Sequence, residues 1–389
     1  MSQNKYLDLA GLTAYDRMLK EWFKSGVVDI TDDAIRALFV TVAECPADNE
    51  IWYYTDDNNV VNLQGMFGDM SDSITNAKLV SNTYKNGKGI LQFDSDVTSI
   101  NSVYGGGRQV SGFHDSEGGS PNLTKLILPK TVVRLEDYAF LNECKLECIE
   151  VNLNSIQYIG NSCFTGTNLA EFILPILPTQ FDEIGNGWFE GNGCLSLIIP
   201  DHINSIGGSA FANCSSLETV DLSNVSSIGG SAFANCRSLK TIDASNVTNI
   251  GESAFIECVS LETINTSNVT NIGESAFDFC KKLKSVNLSN ISSISRRTFY
   301  YCEELETITI PISVTSIDEE AFSGCDKLVS IIYEGTIEQW NSVHKYRTEN
   351  SDWLGGWGSY MEPWHETSVP ATHVQCTDGQ VPIDKSQIQ

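Results

Sequence analysis

The sequence has few positive charges and no long hydrophobic run. Its 389 residues carry 24 Lys and Arg against 50 Asp and Glu, which gives a formal net charge of -26. Nucleic acids and anionic membranes bind clusters of Lys and Arg, so neither is an expected partner. The apolar runs fall short of the roughly 20 residues that span a bilayer. We therefore expect no membrane-spanning segment, and the charges that interrupt residues 1–23 predict no secretory signal.

Residue patterns for metal-dependent or nucleophilic chemistry are also missing. The five histidines are scattered, and neither His-Glu-x-x-His nor Gly-x-Ser-x-Gly before a helix occurs. We predict a non-enzymatic protein with no catalytic, cofactor-binding or metal-binding residues. A glycan-active enzyme is the remote alternative, and it would need two carboxylates about 5–10 Å apart in a cleft.

A repeated Ala-Phe-x-x-Cys unit dominates what is present. Its phenylalanines recur every 22 residues from Phe211 to Phe299, and Phe322 follows after 23. Such a period is typical of stacked coils, in which the apolar positions of each unit pack on those of its neighbours. The segment after each Leu, for example residues 217–222, alternates apolar and polar side chains, which predicts one strand per coil and a parallel sheet.

These units resemble the BspA-like leucine-rich repeat family, whose repeats run roughly Leu-x-x-Ile-x-(Ile/Leu)-Pro-x-x-Val-x-x-Ile-Gly-x-x-Ala-Phe-x-x-Cys. Residues 308–325 are a near-complete match, and the resemblance covers about residues 96–335. It implies a right-handed leucine-rich-repeat solenoid with a parallel β-sheet and a C-terminal cap after it. The apolar stripe near the N-terminus predicts a helix before the solenoid. For function the resemblance implies an extracellular-type binding or adhesion surface.

The chain divides into four predicted segments. They are an N-terminal amphipathic helix for anchoring or oligomerisation (1–26), a small strand-rich lead-in module (27–95), leucine-rich repeats of 22–25 residues (96–332) and an aromatic-rich C-terminal cap (333–389).

Three recurring residue types have structural interpretations. Six of the twelve cysteines occupy one repeat position, and we expect them to be reduced thiols packed in the core. The glycines that follow the inward Ile predict tight turns where a Cβ would clash or φ is unusual. The Asn-x-Ser/Thr triplets at Asn224, Asn246 and Asn268 are interpreted as turn residues rather than glycosylation sites.

Aromatic residues concentrate near the C-terminus. Four candidate partner-binding residues are Trp353, Trp357, Tyr360 and Trp364. A cap over the open end of the solenoid is the preferred interpretation, and a platform for a sugar or protein is the alternative. The outward strand positions are small and polar, without the Trp, Tyr or Arg typical of binding hot spots.

The N-terminal segment predicts attachment. Its apolar stripe supplies the candidate anchor residues Leu9, Leu12, Leu19, Trp22 and Phe23. The run from Tyr6 to Leu12 is similar to attachment segments of tail- and head-fibre proteins from phages of gut Bacteroidales. That similarity implies a virion appendage that binds other virion proteins or copies of itself through the helix and contacts a host surface protein or glycan. A bacterial cell-surface adhesin is the alternative.

Overall fold

The computed structural model describes residues 45–61, 74–105, 108–111, 113, 122–174, 177–345 and 369–383, with short strand pairs at 64–65 with 68–69 and at 351–352 with 355–356. The predicted N-terminal helix and its five anchor residues lie outside these residues and stay predictions. The boundaries proposed at residues 26, 95 and 332 also stay predictions. The chain divides into two compact units, residues 1–180 and 181–389, which are described separately.

The first unit joins an antiparallel sheet to leucine-rich coils. Its strands are β1 (Glu50–Thr55), β2 (Gln64–Gly65), β3 (Gly68–Asp69), β4 (Leu79–Lys85), β5 (Lys88–Phe93), β6 (Ser99–Ile100), β7 (Ser102–Gly105), β8 (Arg108–Ser111), β9 (Leu123–Ile127), β10 (Arg134–Leu135), β11 (Cys148–Glu150) and β12 (Tyr158–Ile159). A 3-10 turn (Leu153–Ser155) and the short helix α1 (Ala170–Ile173) complete it. The main sheet has the order β11-β9-β1-β5-β4, in which β1 pairs antiparallel with both β5 and β9, and β11 pairs parallel with β9.

The second unit is a stack of coils with two ladders of parallel strands. Its strands are β13 (Glu183–Ile184), β14 (Ser196–Ile198), β15 (Ser205–Ile206), β16 (Thr219–Asp221), β17 (Ser227–Ile228), β18 (Thr241–Asp243), β19 (Asn249–Ile250), β20 (Thr263–Asn265), β21 (Asn271–Ile272), β22 (Ser293–Ile294), β23 (Thr307–Ile310), β24 (Ser316–Ile317), β25 (Ser330–Tyr333), β26 (His344–Lys345), β27 (Ser351–Asp352), β28 (Gly355–Gly356), β29 (His373–Cys376) and β30 (Gly379–Pro382). One helix, α2 (Ile337–Ser342), follows β25.

Each regular coil contributes one strand to each ladder. The first ladder is β14-β16-β18-β20, in which Thr219, Thr241 and Thr263 are aligned partners, and the second is β13-β15-β17-β19-β21. The middle residue of each three-residue strand is buried and its two neighbours are exposed, as the period-2 pattern predicts. The predicted parallel sheet is confirmed.

Phenylalanines form the centre of each unit. In the second unit, seven fully buried rings from Phe189 to Phe322 stack with centroids 5.4–5.7 Å apart and planes within 14° of parallel. In the first unit, Phe113, Phe140 and Phe164 stack in the same way. Each ring packs on the equivalent rings of its neighbours, so a coil buries apolar surface that it could not bury alone.

The repeat cysteines are reduced. All twelve cysteines are free thiols, and each of the six in the repeat column donates its S–H to the carbonyl oxygen of a phenylalanine in the preceding coil, at 3.1–3.3 Å. The column comprises Cys214, Cys236, Cys258, Cys280, Cys302 and Cys325, which are all buried. The prediction of packed thiols is confirmed.

Thiol labelling of the native protein will distinguish the exposed cysteines from the buried ones. We expect a thiol reagent to modify the exposed Cys45 and Cys144 promptly and the half-buried Cys148 more slowly. The nine buried thiols should react only after denaturation, because modification needs an accessible thiolate. Mass spectrometry of labelled peptides would measure this. Prompt native labelling of Cys236 or Cys258 would show that the column is open to solvent.

The recurring glycines permit close approach of neighbouring coils. A Cβ built on Gly251 would lie 2.6 Å from the backbone nitrogen of Gly230, and one on Gly229 would lie 2.8 Å from the backbone of Gly207. Neither residue has a positive φ. Of the two predicted reasons for glycine here, the steric clash is therefore the correct one.

The Ala-Phe-x-x-Cys segments form a third ladder, which we call the turn face. The residue just before each segment and the fourth residue within it have a positive φ, as at Ser209 and Asn213, where φ is 55° and 61°. Alternate backbone N–H groups then point toward the next coil. The N–H groups of Ser209, Phe211 and Asn213 donate to the carbonyl oxygens of Gly230, Ala232 and Ala234 at 2.7–2.9 Å.

Both strand ladders are interrupted at the same coil. Residues 285–288 keep a single bridge, between Thr263 and Ser285, and β21 does not pair with β22. The buried Thr266 hydroxyl donates to the carbonyl oxygen of Asn287 at 2.6 Å and accepts from its N–H at 3.1 Å. Because apolar Leu222 and Ala244 occupy the Thr266 position in the preceding coils, this side-chain bond is specific to the interrupted coil.

The described C-terminal residues extend the last coil. β29 pairs parallel with β25, and β30 pairs antiparallel with β29. Trp340 is 3 % exposed and packs against Tyr333, with ring centroids 5.2 Å apart. The four candidate binding residues from Trp353 to Trp364 lie outside the described residues, so the choice between cap and platform stays open for them.

Candidate functional site

The two variable positions of the Ala-Phe-x-x-Cys unit change character along the second unit. They read Ala-Asn in two successive coils, at residues 212–213 and 234–235, and Ser-Gly in the last coil, at residues 323–324. Between these coils they read Ile-Glu, Asp-Phe and Tyr-Tyr, at residues 256–257, 278–279 and 300–301. Bulky and charged side chains thus replace small ones on adjacent coils of the turn face.

Four of these side chains, together with Arg297 from the same turn face, form the candidate site. We call Asp278, Phe279, Arg297, Tyr300 and Tyr301 the turn-face patch, with Glu257 beside it. The Phe279 and Tyr301 rings stack, with centroids 4.9 Å apart and planes 4° from parallel. Tyr300 packs edge-on against Tyr301 at 4.6 Å, and the Arg297 guanidinium lies 4.8 Å from the centre of the Tyr300 ring. The three rings are half-buried.

Three members of the patch have a backbone conformation that bulky residues avoid. Phe279, Tyr301 and Arg297 have φ of 57°, 53° and 52°. Most other coils place Asn, Gly or Ser at these two positions, whereas Glu257 and Glu320 in the second unit and Tyr138 in the first also have a positive φ there. A left-handed conformation costs an ordinary L-residue about 1–2 kcal/mol, and Asn and Gly tolerate it best. Strain of this kind persists where the surroundings impose it, and it clusters at functional sites.

The coil that follows holds the Tyr301 ring in place. A Cβ on Gly324 would lie 2.8 Å from Cγ of Tyr301, so the ring occupies the space that a side chain at residue 324 would fill. Tyr301 is therefore held between Phe279 and the Gly324 backbone.

Burial raises the pKa of Tyr300 to about 12, so its hydroxyl keeps its proton at neutral pH. Within the described part of the chain, neither the Tyr300 nor the Tyr301 hydroxyl has a hydrogen-bond partner.

Charged side chains surround the rings. Nε of Arg297 donates to Glu320 at 2.6 Å, and Arg296 bonds Glu274 at 3.1 Å and Glu319 at 3.0 Å. Lys281 pairs with Glu303 at 2.7 Å. These partly exposed pairs contribute little to stability, but they fix the directions of the cations.

Asp278 is the one buried acid of the patch. Its side chain is 6 % exposed, and its Oδ1 atom has no hydrogen-bond partner among the residues that the structure describes. Burial raises the pKa of Asp278 to about 7. The positive charge of Arg297 lowers this pKa, and the negative charges of Glu257 and Glu320 raise it. Ala212 and Ala234 occupy this position in earlier coils, so the sequence periodicity does not require an acid there.

The other candidate surfaces show simpler chemistry. The outward strand residues are exposed Thr, Asp and Asn, as predicted. The Asn268 amide donates to the carbonyl oxygen of Ser245 at 2.5 Å, which supports the interpretation of the Asn-x-Ser/Thr asparagines as turn residues. Among the described residues, no group of three or more His, Cys, Asp or Glu side chains could hold a metal ion. None of the helices described has the length and apolarity that a bilayer crossing requires.

Sequence reasoning missed the turn-face patch because it examined what the repeats share. The signal that could have found it was the departure from Ala-Asn at the two variable positions of three adjacent units. The candidate residues that the sequence did propose lie at the two ends of the chain. The patch lies in the middle of the second unit.

Comparison with known families agrees with the repeat. The model of the BspA type leucine rich repeat region matches residues 118–218, 182–303 and 248–346, which together span more than half of the chain. The chain belongs to the BspA-type leucine-rich repeat family. The BspA-type repeats include the coils that carry the turn-face patch.

Solved structures of similar proteins include three bacterial leucine-rich repeat proteins. One from Eubacterium ventriosum is 18% identical, with a TM-score of 0.43, over 75% of this chain and 83% of its own. A leucine rich cell surface protein from Faecalibacterium prausnitzii is 22% identical, with a TM-score of 0.34, over 68% of this chain and 89% of its own. A leucine-rich repeat protein from T. pallidum is 27% identical, with a TM-score of 0.34, over 39% of this chain and 76% of its own. No curated protein matches the chain.

Proposed function

We propose that this BspA-type repeat protein is a non-enzymatic recognition protein and that the turn-face patch is its binding surface. The observation that carries the proposal is the placement of Phe279, Arg297 and Tyr301 in a left-handed conformation that the other coils of the second unit give to Asn, Gly, Ser or, at Glu257 and Glu320, glutamate. Packing alone does not require these side chains, because the same coil geometry forms with Asn213 and Asn235. Their conformational cost is therefore best explained by selection for binding.

The composition of the patch supports recognition. Tyr and Arg are enriched among residues that dominate binding energy, and such residues cluster in well-packed sites. The stacked rings and the paired guanidinium are already ordered in the free protein, so binding a partner would cost little of their conformational entropy. The exposed strand rows lack such residues, and their small polar side chains suit solubility.

The tyrosine pair offers a direct test of the site. We expect Tyr300→Ala with Tyr301→Ala to weaken binding at least about thirtyfold, since a hot-spot residue contributes 2 kcal/mol or more. The measurement is retention of labelled full-length protein on intact Bacteroidales cells and on a glycan array. Thr241→Ala with Thr263→Ala, on the exposed strand row, is the matched control and should bind like the wild type. Equal binding by both double variants would contradict the proposal.

We propose a phage virion appendage of the fibre type as the setting, which presents the repeats to a host surface protein or glycan. The similarity of residues 6–12 to fibre attachment segments and the predicted anchor helix support this setting. A bacterial cell-surface adhesin fits the repeat family equally well. Mass spectrometry of purified virions and of washed bacterial envelopes from the same culture would separate the two. Recovery of the chain in envelopes alone would contradict the virion setting.

A further inference from the structure

The turn-face patch contains a buried acid whose hydrogen bonding is incomplete. The Oδ1 atom of Asp278 is inaccessible to solvent and has no hydrogen-bond partner in the described ranges of the chain. A buried polar atom without a partner destabilises the folded state. The equivalent residues Ala212 and Ala234 show that a coil folds at this position without that cost.

The nearest cation does not neutralise Asp278. Arg297 attracts it, but the Arg297 Nε is bound to Glu320 at 2.6 Å, and its guanidinium lies on the Tyr300 ring. No ion pair reaches Asp278 within the described part of the chain. Charged or titratable groups that face it come from the coil before (Glu257), from its own coil (Cys280) and from the two coils after (Arg297, Tyr300, Cys302 and Glu320).

The acids in this part of the turn face exceed the bases. Six glutamates outnumber the five bases Arg237, Lys281, Lys282, Arg296 and Arg297, of which Arg237 pairs with Glu257. The glutamates are Glu252, Glu257, Glu274, Glu303, Glu319 and Glu320. The whole chain has a net charge of -26. This excess favours the approach of a positively charged partner.

Ring geometry argues for a hydrogen-bonding cation rather than a stacked sugar. Tyr301 is covered on one face by Phe279 and on the other by Gly324, and one face of Tyr300 is covered by Arg297. Tyr301 therefore presents its edge and its hydroxyl, whereas a sugar would need an open face for stacking. A primary ammonium has three donors on a narrow flexible stem, which suits a carboxylate and phenol oxygens behind ring edges.

We propose that Asp278 accepts a primary ammonium, the side chain of a lysine on a protein partner, which enters the turn-face patch beside Tyr300. This inference rests on the proposed function and names the partner's chemistry. Entry requires the half-buried Tyr300 side chain to turn aside. Its hydroxyl has no partner in the described residues, so the movement breaks no hydrogen bond there.

Proton linkage gives the binding a direction with pH. Asp278 is neutral below its pKa of about 7 and charged above it, while a lysine ammonium stays protonated to about pH 10. The lysine ammonium binds the charged form of Asp278. Binding should therefore strengthen roughly ninefold from about pH 6 to about pH 8, as the ionised fraction of Asp278 rises from about a tenth to about nine-tenths.

Fluorine NMR of the full chain labelled with 3-fluorotyrosine provides the test. The probes are the peptide acetyl-Gly-Lys-Gly-amide and the same peptide with norleucine or glutamate in place of lysine. The Tyr300 resonance is assigned by its loss in Tyr300→Phe. We expect the lysine peptide alone to shift it saturably, with the ninefold pH dependence given above.

Matched variants separate Asp278 from the general acidity of the surface. We expect Asp278→Asn, and Asp278→Ala as in the equivalent Ala212, to weaken lysine-peptide binding at least about tenfold and to abolish its pH dependence. Asp243→Asn removes the same charge from the exposed strand row and should leave binding unchanged. Circular dichroism confirms folding of each variant.

Three results would overturn the inference. They are an equal shift with the norleucine peptide, retention of binding by Asp278→Asn, and the absence of any saturable shift with the lysine peptide. If the tyrosine double variant still lost cell or glycan binding, the last result would refute the ammonium site and leave the proposed function standing. If the lysine peptide bound Asp278 but the tyrosine pair proved dispensable for cell and glycan binding, the proposed function would fail instead.

Discussion

Stability should fall steeply above about pH 9, where cysteine thiols ionise once the second unit unfolds. Burial raises the pKa of all six column thiols above the ordinary value of 9.0. The folded state therefore keeps protons that the unfolded state releases, and unfolding becomes more favourable as pH rises. Each thiol contributes about 1.4 kcal/mol per pH unit, so six thiols exposed together contribute about 8 kcal/mol per unit.

That slope is large beside the whole stability of a typical domain, about 5–15 kcal/mol. Urea unfolding in reducing buffer, from about pH 8 to about pH 10, would measure it. Cys258→Ala should reduce the slope by about 1.4 kcal/mol per pH unit. Cys144→Ala removes an exposed thiol and should leave the slope unchanged. A free energy of unfolding that stays constant across this range would contradict burial of the column.

We expect Phe255→Ala to cost about 3–5 kcal/mol, the usual range for a buried aromatic ring truncated to alanine. Phe255 is fully buried, and its ring centroid lies 5.5 Å from that of Phe233 and 5.6 Å from that of Phe277. The variant therefore loses contacts at two interfaces between coils. Because coils of a repeat protein contact mainly their neighbours, the damage should be local.

Thiol labelling can locate the damage along the stack. Cys280 donates its S–H to the Phe255 carbonyl oxygen, and Cys258 lies three residues after Phe255. In Phe255→Ala both thiols should react faster than Cys325, which lies three coils away. Phe255→Leu keeps much of the volume and should show a smaller loss of stability and slower labelling. Simultaneous labelling of all six thiols would indicate that the second unit opens as a whole.

The fold was predictable from the sequence because periodicity constrains every coil in the same way. A residue such as Phe233 or Cys236 recurs at a fixed interval with identical neighbours, so its burial follows from the repeat alone. The small exposed strand rows followed from the same alternation. The reason for Gly251 was only half predicted, because a close approach between coils and an unusual φ both favour glycine, and the sequence does not distinguish them.

The candidate site was not predictable by that reasoning. Phe279 and Tyr301 depart from the repeat, and their strain becomes evident only when φ is known. Asp278 stands where other coils have alanine, and its missing hydrogen-bond partner depends on how Arg297 and Glu320 pair in the next two coils. Such contacts between non-identical side chains are set by tertiary packing, which periodicity does not describe.

The uniform glycine contacts and turn hydrogen bonds between residues 205 and 273 have a consequence for how the protein can change. Successive coils in this range meet through the same backbone contacts, so one more 22-residue copy placed among them would find matching surfaces above and below. The neighbours of the turn-face patch would not change. Gene duplication could therefore alter the reach of this protein while leaving its binding chemistry intact.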